Sequence, residues 1–366
     1  MKRTRFVMLG GFLGAGKTTA VARLARHWMS QGMRVGLVTN DQAYGLVDTE
    51  SLRAQGFDVG EVTGACFCCK FNDLVATVGQ LSSEQYPDII IAEPVGSCTD
   101  LAATVIEPMR RLHAAEYEIA PLAVLLKPEH GQKILADQPG LGFSPKAAYI
   151  FLKQLEEAEI IAVNKIDRLD ESRRDELLRQ VRERFPGKQV LAVSARRGDG
   201  FDKLVAAMEQ SQAEASRTPE VDYDIYAAGE AELGWLNCNV SIERLGVFDL
   251  DELLVDFVSR LARACGRVSA EPAHLKVLAA AEGATAIANL VSSDAQVELS
   301  LASGATVNVA ELTVNARVAV DPDLLTELVE REVQAIGSQH DLVCRLENLQ
   351  SFRPGRPVPT HRMTVG

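Results

Sequence analysis

The sequence predicts an α/β fold built as two domains. The chain has 366 residues, which is more than one hydrophobic core usually accommodates. Up to residue 212, short apolar runs alternate with helical patterns, as in a mostly parallel sheet with helices between its strands. The later part follows the order strand, helix, strand, strand, helix, strand, which indicates a smaller C-terminal α+β domain.

The strands predicted for the first domain are runs of mainly apolar residues. Ile89–Ala92 is apolar throughout, a pattern typical of parallel strands buried on both faces. The predicted strands are Arg5–Leu9, Arg34–Thr39, Phe57–Val62, Asp88–Ala92, Ala120–Leu126, Ile160–Val163 and Gln189–Val193. Helical periodicity is found at Thr18–Ser30, Asp170–Phe185 and Phe201–Gln212.

A polar, proline-containing stretch without periodicity separates the two domains. We therefore predict a first domain over 1–212, a linker over 213–222, a second domain over 223–352 and a loosely ordered tail over 353–366. The elements predicted after the linker are the strand Trp235–Glu243, the helix Asp249–Cys265, the strands His274–Ala280, Ala286–Ser292 and Thr313–Val320, the helix Pro322–Ile336 and the strand Val343–Phe352, with further strand residues in 297–309.

Composition excludes several classes of function. The chain carries 38 basic and 50 acidic residues, a formal net charge of −12, and only 5% of its residues are aromatic. Such a chain is a poor binder of nucleic acid. No run approaches the roughly 20 apolar residues of a membrane helix, so we expect a cytoplasmic protein. Seven cysteines, three of them within four positions, indicate a reducing compartment rather than a disulfide framework.

A glycine-rich motif follows the first predicted strand. Residues 11–18 read G-x-x-x-x-G-K-T between a strand and a helix, the context of a P-loop NTPase. We expect backbone N–H groups to bind phosphate oxygens, Lys17 to reach the β- and γ-phosphates, and Thr18 to bind Mg²⁺. The predicted nucleotide-binding residues of this loop are Gly11, Gly14, Ala15, Gly16, Lys17, Thr18 and Thr19.

A second motif predicts which base is bound. Asn164-Lys165-Ile166-Asp167 follows the strand Ile160–Val163, and Ser194-Ala195 follows the next strand. A carboxylate at Asp167 can accept hydrogen bonds from N1–H and the N2 amine of guanine, a donor pair that adenine lacks. The Ala195 N–H can donate to guanine O6. The sequence therefore favours GTP over ATP.

Three acidic residues are candidates for catalysis and Mg²⁺ binding. Glu93 ends a strand and opens Glu93-Pro94-Val95-Gly96, in which Gly96 lets the backbone approach the γ-phosphate. Asp41 and Asp48 follow another strand, where either could hold Mg²⁺ or orient water. The alternatives are a helix-capping role for Glu93 and solvated loop positions for the two aspartates.

The cysteine motif Cys66-Phe67-Cys68-Cys69 predicts a metal site. Thiolates two apart on an extended segment face the same side, and Cys69 joins them if the chain turns. Three thiolates suit Zn²⁺ or a similar ion, which requires one more ligand. Cys98 is the candidate fourth ligand. A buried apolar trio and a redox-active cluster are the alternatives, whereas Cys238, Cys265 and Cys344 have the pattern of core residues.

These motifs together resemble one family. GFLGAGKTT, CFCC, EPVG and NKID occur here in the order and spacing of CobW-type GTPases, relatives of the nickel-inserting GTPases and of nitrile hydratase activators. The resemblance covers about residues 5–210. It implies a Mg²⁺-dependent GTPase that binds zinc or cobalt at its cysteines and delivers the metal to a client protein on GTP hydrolysis. It also implies a GTP-dependent homodimer. The alternative is a GTP-gated assembly factor that holds no metal.

Two features depart from that family. Its switch segment commonly reads N-E-x-G-E, whereas this chain has Tyr44 where the second glutamate is expected. Many members carry a histidine-rich tract near the C-terminus, whereas the six histidines here are scattered along the chain. The sequence therefore gives no support for metal storage.

Overall fold

The computed structural model describes residues 3–42, 47–135, 144–210, 218–290 and 296–365. The chain forms two compact units, and it passes between them more than once. The first unit comprises Met1–Gln42, Phe57–Gly229 and Arg356–Gly366, and the second comprises Ala43–Gly56 and Glu230–Gly355.

The first unit contains a sheet whose hydrogen-bonded strand pairs are all parallel within the described residues. Its strands are β1 (Thr4–Gly11), β2 (Val35–Asn40), β3 (Val59–Val62), β4 (Ile89–Glu93), β5 (Tyr117–Ile119), β6 (Ala123–Leu126), β7 (Ile160–Val163) and β8 (Gln189–Ala192). They are ordered β3-β2-β4-β1-β6-β7-β8, and β5 also pairs with β1. Strand β1 is therefore central, with the loop after it beside the ends of β4 and β6.

Helices connect these strands, as parallel pairing requires. In chain order the described helices of the first unit are α1 (Lys17–Ser30), α3 (Phe71–Gln85), α4 (Glu107–Leu112), α5 (Pro128–Leu135), α6 (Pro145–Glu157), α7 (Glu171–Arg184), α8 (Phe201–Glu209) and α9 (Tyr223–Glu230), while α2 (Val47–Ala54) belongs to the second unit. A π-helical turn over Ala102–Ile106 leads directly into α4. The first unit is therefore an α/β fold, with parallel strands joined mainly by helices.

The second unit is an antiparallel sheet with two long helices. Its strands are β9 (Gly234–Asp249), β10 (Pro272–Ala281), β11 (Ala284–Leu290), β12 (Glu298–Leu301), β13 (Thr306–Val318) and β14 (Val343–Phe352), in the order β12-β11-β10-β13-β9-β14. The helices are α10 (Leu250–Arg267) and α11 (Pro322–His340). Aspartates cap both: Asp249 accepts from the N–H of Glu252, and Asp321 from that of Asp323. Their apolar faces form one core with the sheet.

The fold class predicted from the sequence is confirmed, and the differences are local. Ala120–Leu126, predicted as one strand, is a strand only over Ala123–Leu126 (β6), and the short strand β5, which was not predicted, precedes it. The tail, predicted to be loosely ordered, makes specific hydrogen bonds within the first unit, such as Met363 N–H to the Ala103 carbonyl at 2.8 Å. The first half of the predicted linker, residues 213–217, lies outside the described residues, which resume at 218. Among the described residues, no helix is both long and apolar enough to cross a membrane.

Helix α2 is held in the second unit by three kinds of contact. Val47 packs against Leu278 and Ile287, and its N–H donates to the Asn315 side chain at 2.8 Å. The Asp48 carboxylate forms an ion pair with Lys276 on β10. Both side chains of the pair are largely buried, with 21% and 12% of their surfaces exposed. The segment after Asp41, predicted to act at the nucleotide, therefore continues into a helix anchored on the C-terminal sheet.

Replacing Lys276 with Met should loosen α2, because the substitution leaves a mostly buried carboxylate without its cation. We expect amide hydrogen exchange across 47–54 to accelerate about tenfold, corresponding to about 1.4 kcal/mol. Arg179→Met, which removes an exposed ion pair on α7, is the control and should change exchange in its own helix by less than about threefold. Equal protection of α2 in wild type and Lys276→Met would show that the pair does not hold the helix.

Candidate nucleotide and metal site

The loop after β1 has the backbone of a phosphate-binding loop. Gly11, Gly14 and Gly16 all have positive φ, at 137°, 72° and 91°, which favours glycine. At Gly11 a Cβ would lie 2.6 Å from the Leu125 carbonyl oxygen. Helix α1 begins at Lys17, whose Nζ donates to the Gly11 carbonyl at 3.1 Å. A helix N-terminus and a buried ammonium thus converge on this loop, an arrangement that binds phosphates.

The end of β4 contacts the same loop. The Thr18 hydroxyl donates to Glu93 Oε1 at 3.1 Å, and Glu93 is buried. A Cβ on Gly96 would lie 2.8 Å from Leu13 Cδ2 and 3.0 Å from Lys17 Nζ. Only glycine allows the backbone so close. The predicted Mg²⁺ residue Thr18 and two residues of the Glu93–Gly96 motif therefore lie together, and hydroxyl and carboxylate oxygens are ligands that suit Mg²⁺.

The predicted base-binding residues also come together. Asn164 donates to the Ala15 carbonyl at 2.8 Å and accepts from the Ala195 N–H at 2.9 Å. Asp167 Oδ1 accepts from the Ser194 hydroxyl at 2.7 Å. Lys165 between them has a φ of 59°. The asparagine thus fixes the P-loop to the turn after β8, while the carboxylate stands beside that turn.

The cysteine motif is shaped by one buried asparagine. Asn40, at the end of β2, donates to the carbonyls of Val62 and Ala65, each at 2.8 Å, and accepts from the Phe67 N–H at 2.8 Å. The chain then turns, with the Cys69 N–H bonded to the Cys66 carbonyl at 3.0 Å. The condition for Cys69 to join the other two thiols is thereby met. Sequence patterns gave no sign of this role for Asn40.

The three sulfurs converge. Cys66 Sγ lies 2.9 Å from Cys68 Sγ and 3.4 Å from Cys69 Sγ, and the last two are 3.8 Å apart. All three are free thiols, with Cys66 and Cys68 buried and Cys69 partly exposed. Tetrahedral zinc with Zn–S bonds of about 2.3 Å separates its sulfurs by roughly 3.8 Å. One pair has this spacing, and the others need to open by less than about 1 Å. The group therefore fits a soft divalent ion.

The pKa values of the three thiols are shifted in different directions. Hydrogen bonds from Cys68, Cys69 and Cys98 hold the pKa of the Cys66 thiol well below its usual range. The hydrogen bond with Cys66 raises the pKa of Cys68 well above that range, and it raises the pKa of Cys69 to about 11. One thiolate is thus stabilised by its neighbours, and a metal ion must displace protons from the others to bind all three.

Cys98 connects this group to the nucleotide loop. The Cys98 thiol is buried and interacts with the neighbouring thiols, lowering the pKa of Cys66 and raising that of Cys68. Among the described residues, the sulfurs that lie within 4.8 Å of one another are those of Cys66, Cys68 and Cys69, so the predicted fourth ligand stands beside this group and not within it. Gln154 on α6 donates to the Gly96 carbonyl at 3.0 Å and to the Cys98 carbonyl at 2.7 Å. One buried amide therefore holds the residue next to Lys17 and the residue next to the cysteines in a single turn.

The buried carboxyl of Glu157 accepts hydrogen bonds from residues that follow this turn. Glu157 is fully buried and accepts from the Thr99 hydroxyl at 3.1 Å and from the Ala102 N–H at 2.9 Å. Burial raises the pKa of Glu157 to about 8. Asp100, also fully buried, has a φ of 65° and accepts from the Tyr223 hydroxyl at 2.6 Å. The sequence reading singled out neither acid, because each acquires its environment from distant residues.

The remaining predicted site residues are dispersed. Asp41 is buried at the end of β2 and accepts from the Gln42 N–H at 2.6 Å. Asp48 lies in the second unit beside Lys276, and Tyr44 lies outside the described residues. Thr19 is on the exposed side of α1. Cys238, Cys265 and Cys344 lie in or against the core of the second unit.

Comparison with known proteins identifies the family. The model described as "CobW/HypB/UreG, nucleotide-binding domain" matches residues 5–192, just over half of the chain. The chain belongs to the CobW/HypB/UreG family. The match contains the P-loop, the cysteine motif, the Glu93–Gly96 turn and the Asn164–Asp167 motif.

Curated relatives and solved structures extend the comparison. The zinc chaperone YeiR of Escherichia coli K12 is 30% identical over 173 residues, 45% of this chain and 47% of that protein. The zinc chaperone CobW of a Sinorhizobium species is 36% identical over 97 residues, 24% of this chain and 27% of that protein. The chain thus spans less than half the length of either relative.

Two solved structures are similar to this chain at low identity. HypB of Helicobacter pylori in complex with nickel is 16% identical with a TM-score of 0.43, covering 60% of this chain and 93% of that one. The Zn(II)-bound YjiA GTPase of E. coli is 13% identical with a TM-score of 0.39, covering 93% of this chain and 99% of that one.

Glu157→Gln should remove a pH dependence of stability. Folding raises the pKa of Glu157 from 4.5 to about 8, so the folded chain keeps a proton that the unfolded chain releases as the pH rises through this range. Wild type should therefore lose about 2 kcal/mol of unfolding free energy between pH 6 and 8, a loss that the glutamine variant lacks. Urea unfolding at both pH values measures it, with Glu156→Gln as control. A glutamine variant with the wild-type pH dependence would contradict the assignment.

Proposed function

We propose that this chain is a Mg²⁺-dependent GTPase that binds zinc or cobalt at Cys66, Cys68 and Cys69 and delivers the metal to a client protein on GTP hydrolysis. The observation that carries the proposal is the turn from Gly96 to Cys98. At one end its backbone lies against the P-loop lysine, and at the other the Cys98 thiol interacts with Cys66 of the cysteine cluster and lowers its pKa. A change at the γ-phosphate therefore has a short physical route to the metal ligands.

GTP is the nucleotide favoured by the residues around the base site. Asp167 supplies a carboxylate for the N1–H and N2 amine of guanine, and the Ala195 N–H would exchange its hydrogen bond to Asn164 Oδ1 for one to guanine O6. Asn164 ties this turn to Ala15 in the P-loop. Recognition of the base is thus rigidly connected to the loop that binds the phosphates.

Hydrolysis would use the charges collected around the P-loop. Lys17 and the N-terminus of α1 stabilise negative charge that develops on the γ-phosphate. Thr18 and Glu93, which are hydrogen-bonded to each other, would hold Mg²⁺, with Asp41 as a further candidate because it lies two residues beyond Thr39, the register partner of Glu93 on β2. Mg²⁺ held there would supply positive charge that offsets the charge developing on the γ-phosphate. Asp48, the other acid predicted to position water, is ion-paired with Lys276 in the second unit.

Metal transfer follows from the same turn. With GTP bound, the Gly96 N–H can donate to the γ-phosphate, which fixes the turn and with it Cys98. Loss of the γ-phosphate removes that contact, and Gln154 transmits the shift because it bonds to both Gly96 and Cys98. A displaced Cys98 would then weaken the hold of the neighbouring cysteine cluster on the metal and favour release to the client. The zinc chaperones YeiR and CobW are the relatives that support zinc as the cargo.

Asp167→Asn should reduce selectivity for guanine. The substitution removes the charged acceptor for two guanine donors, and hydrogen bonds to charged groups contribute about 1.5–3 kcal/mol each. We expect GTP affinity to fall at least about 100-fold while ATP affinity changes little, as measured with fluorescent nucleotides. Asp170→Asn is the control, because Asp170 only caps α7 and Asn caps as well. Unchanged selectivity between GTP and ATP would refute the base assignment.

The metal site is tested by Cys66→Ser combined with Cys68→Ser. A serine hydroxyl is a poor ligand for a soft ion, so Zn²⁺ affinity should fall at least about 100-fold and the sulfur-to-cobalt charge-transfer band of the Co²⁺ form should disappear. Competition titration under anaerobic, reducing conditions measures the affinity. Cys344→Ser, which alters an isolated cysteine of the second unit, is the matched control and should bind as wild type does.

The Zn²⁺ affinity of the double serine variant distinguishes a GTPase that delivers metal from a GTP-gated assembly factor that holds none. If the double serine variant binds Zn²⁺ as tightly as wild type, the cysteines are not the cargo site. The GTP-gated assembly factor that holds no metal is then the better account, and nucleotide affinity should be unaltered in the same variant.

A further inference from the structure

The C-terminal segment crosses the cysteine motif. After β14 the chain returns to the first unit at Arg356, and residues 356–365, which we call the C-terminal strap, run along 68–69 and the π-helical turn. Val358 N–H donates to Cys69 Sγ at 3.2 Å. Thr360 donates through its N–H to the Cys68 carbonyl at 2.8 Å and through its hydroxyl to the Cys69 carbonyl at 3.0 Å.

A latch fixes the strap just beyond these contacts. Arg362 donates to both oxygens of Asp100, at 2.8 and 3.4 Å, and also to the Pro219 carbonyl at 3.1 Å. Asp100 is fully buried, whereas the Arg362 side chain is 32% exposed. A bidentate pair with a buried carboxylate is stronger than an exposed ion pair. The latch thus joins the strap to the segment that also carries Cys98.

Further contacts keep the strap in register. Met363 N–H donates to the Ala103 carbonyl in the π-helical turn at 2.8 Å. The His361 ring packs edge-on against Phe71, with centroids 5.1 Å apart, at the start of α3 directly after the cysteines. The strap therefore contacts the chain from Cys68 to Phe71, and it holds Cys69, the one partly exposed thiol of the cluster.

We propose that the C-terminal strap is a positioning element of the metal site: it fixes Cys69 through the Val358 N–H and is held closed by the Arg362–Asp100 latch. This inference rests on the proposed metal-binding function. Hydrogen bonds to ligand atoms orient them, and their loss typically lowers metal affinity 10- to 100-fold. An open strap leaves Cys69 free to turn away from the ion, so opening of the latch permits metal release at that side of the site.

The chain offers a matched pair of variants at Val358. Its side chain is 70% exposed, so Val358→Ala keeps the N–H and removes little packing. Val358→Pro removes the N–H from a position already flanked by Pro357 and Pro359. We expect Val358→Pro to lower Zn²⁺ affinity about tenfold and Val358→Ala to remain within about twofold of wild type. Arg362→Gln should act in the same direction as Val358→Pro and speed Zn²⁺ transfer to a chelator.

A second measurement needs no metal. In the metal-free protein, iodoacetamide should alkylate Cys69 several-fold faster in Arg362→Gln than in wild type, as followed by peptide mass spectrometry, because the strap covers that thiol. If wild type binds Zn²⁺ through its cysteines but both strap variants match it in affinity and in alkylation, the strap proposal is overturned alone. If wild type binds no Zn²⁺ at the cysteines, the proposed function fails together with the role given to the strap.

Discussion

The buried amide of Gln154 is the interaction on which the site depends most. It donates to the carbonyls of Gly96 and Cys98, and these two residues face different parts of the site. Gly96 approaches Lys17 so closely that no side chain fits, and the Cys98 thiol interacts with those of Cys66 and Cys68 and shifts their pKa values. Because both carbonyls share one donor group, neither end of the turn can move far without the other.

The cysteine cluster is built from several parts of the chain. Asn40 shapes the turn from the end of β2, Cys98 approaches from the segment after β4, and the C-terminal strap contacts Cys69. Apart from the strap, each of these segments also carries a residue assigned to nucleotide or Mg²⁺ binding. Asn40 directly precedes Asp41, and Cys98 lies two residues after Gly96. The ends of β2 and β4 therefore help to position both the thiols and the residues around the P-loop.

The sequence predicted the strands and the site motifs, but not the side-chain roles that depend on distant partners. Strands such as Ile160–Val163 and Val343–Phe352 agree with the structure at both ends, since apolar pattern and turn residues act locally. The roles of Asn40, Gln154 and Arg362 depend on partners at least 22 positions away, and no periodicity encodes such pairings. Asp48 illustrates the same limit, because its partner Lys276 lies 228 positions along the chain.

The central claim is that nucleotide state and metal affinity are coupled through the turn from Gly96 to Cys98. The most direct test measures Zn²⁺ affinity by chelator competition with GDP bound and with a non-hydrolysable GTP analogue bound. We predict at least about fivefold tighter binding with the analogue, and by linkage Zn²⁺ should raise the affinity for the analogue, relative to that for GDP, by the same factor. Equal Zn²⁺ affinity in the two nucleotide states would contradict the coupling.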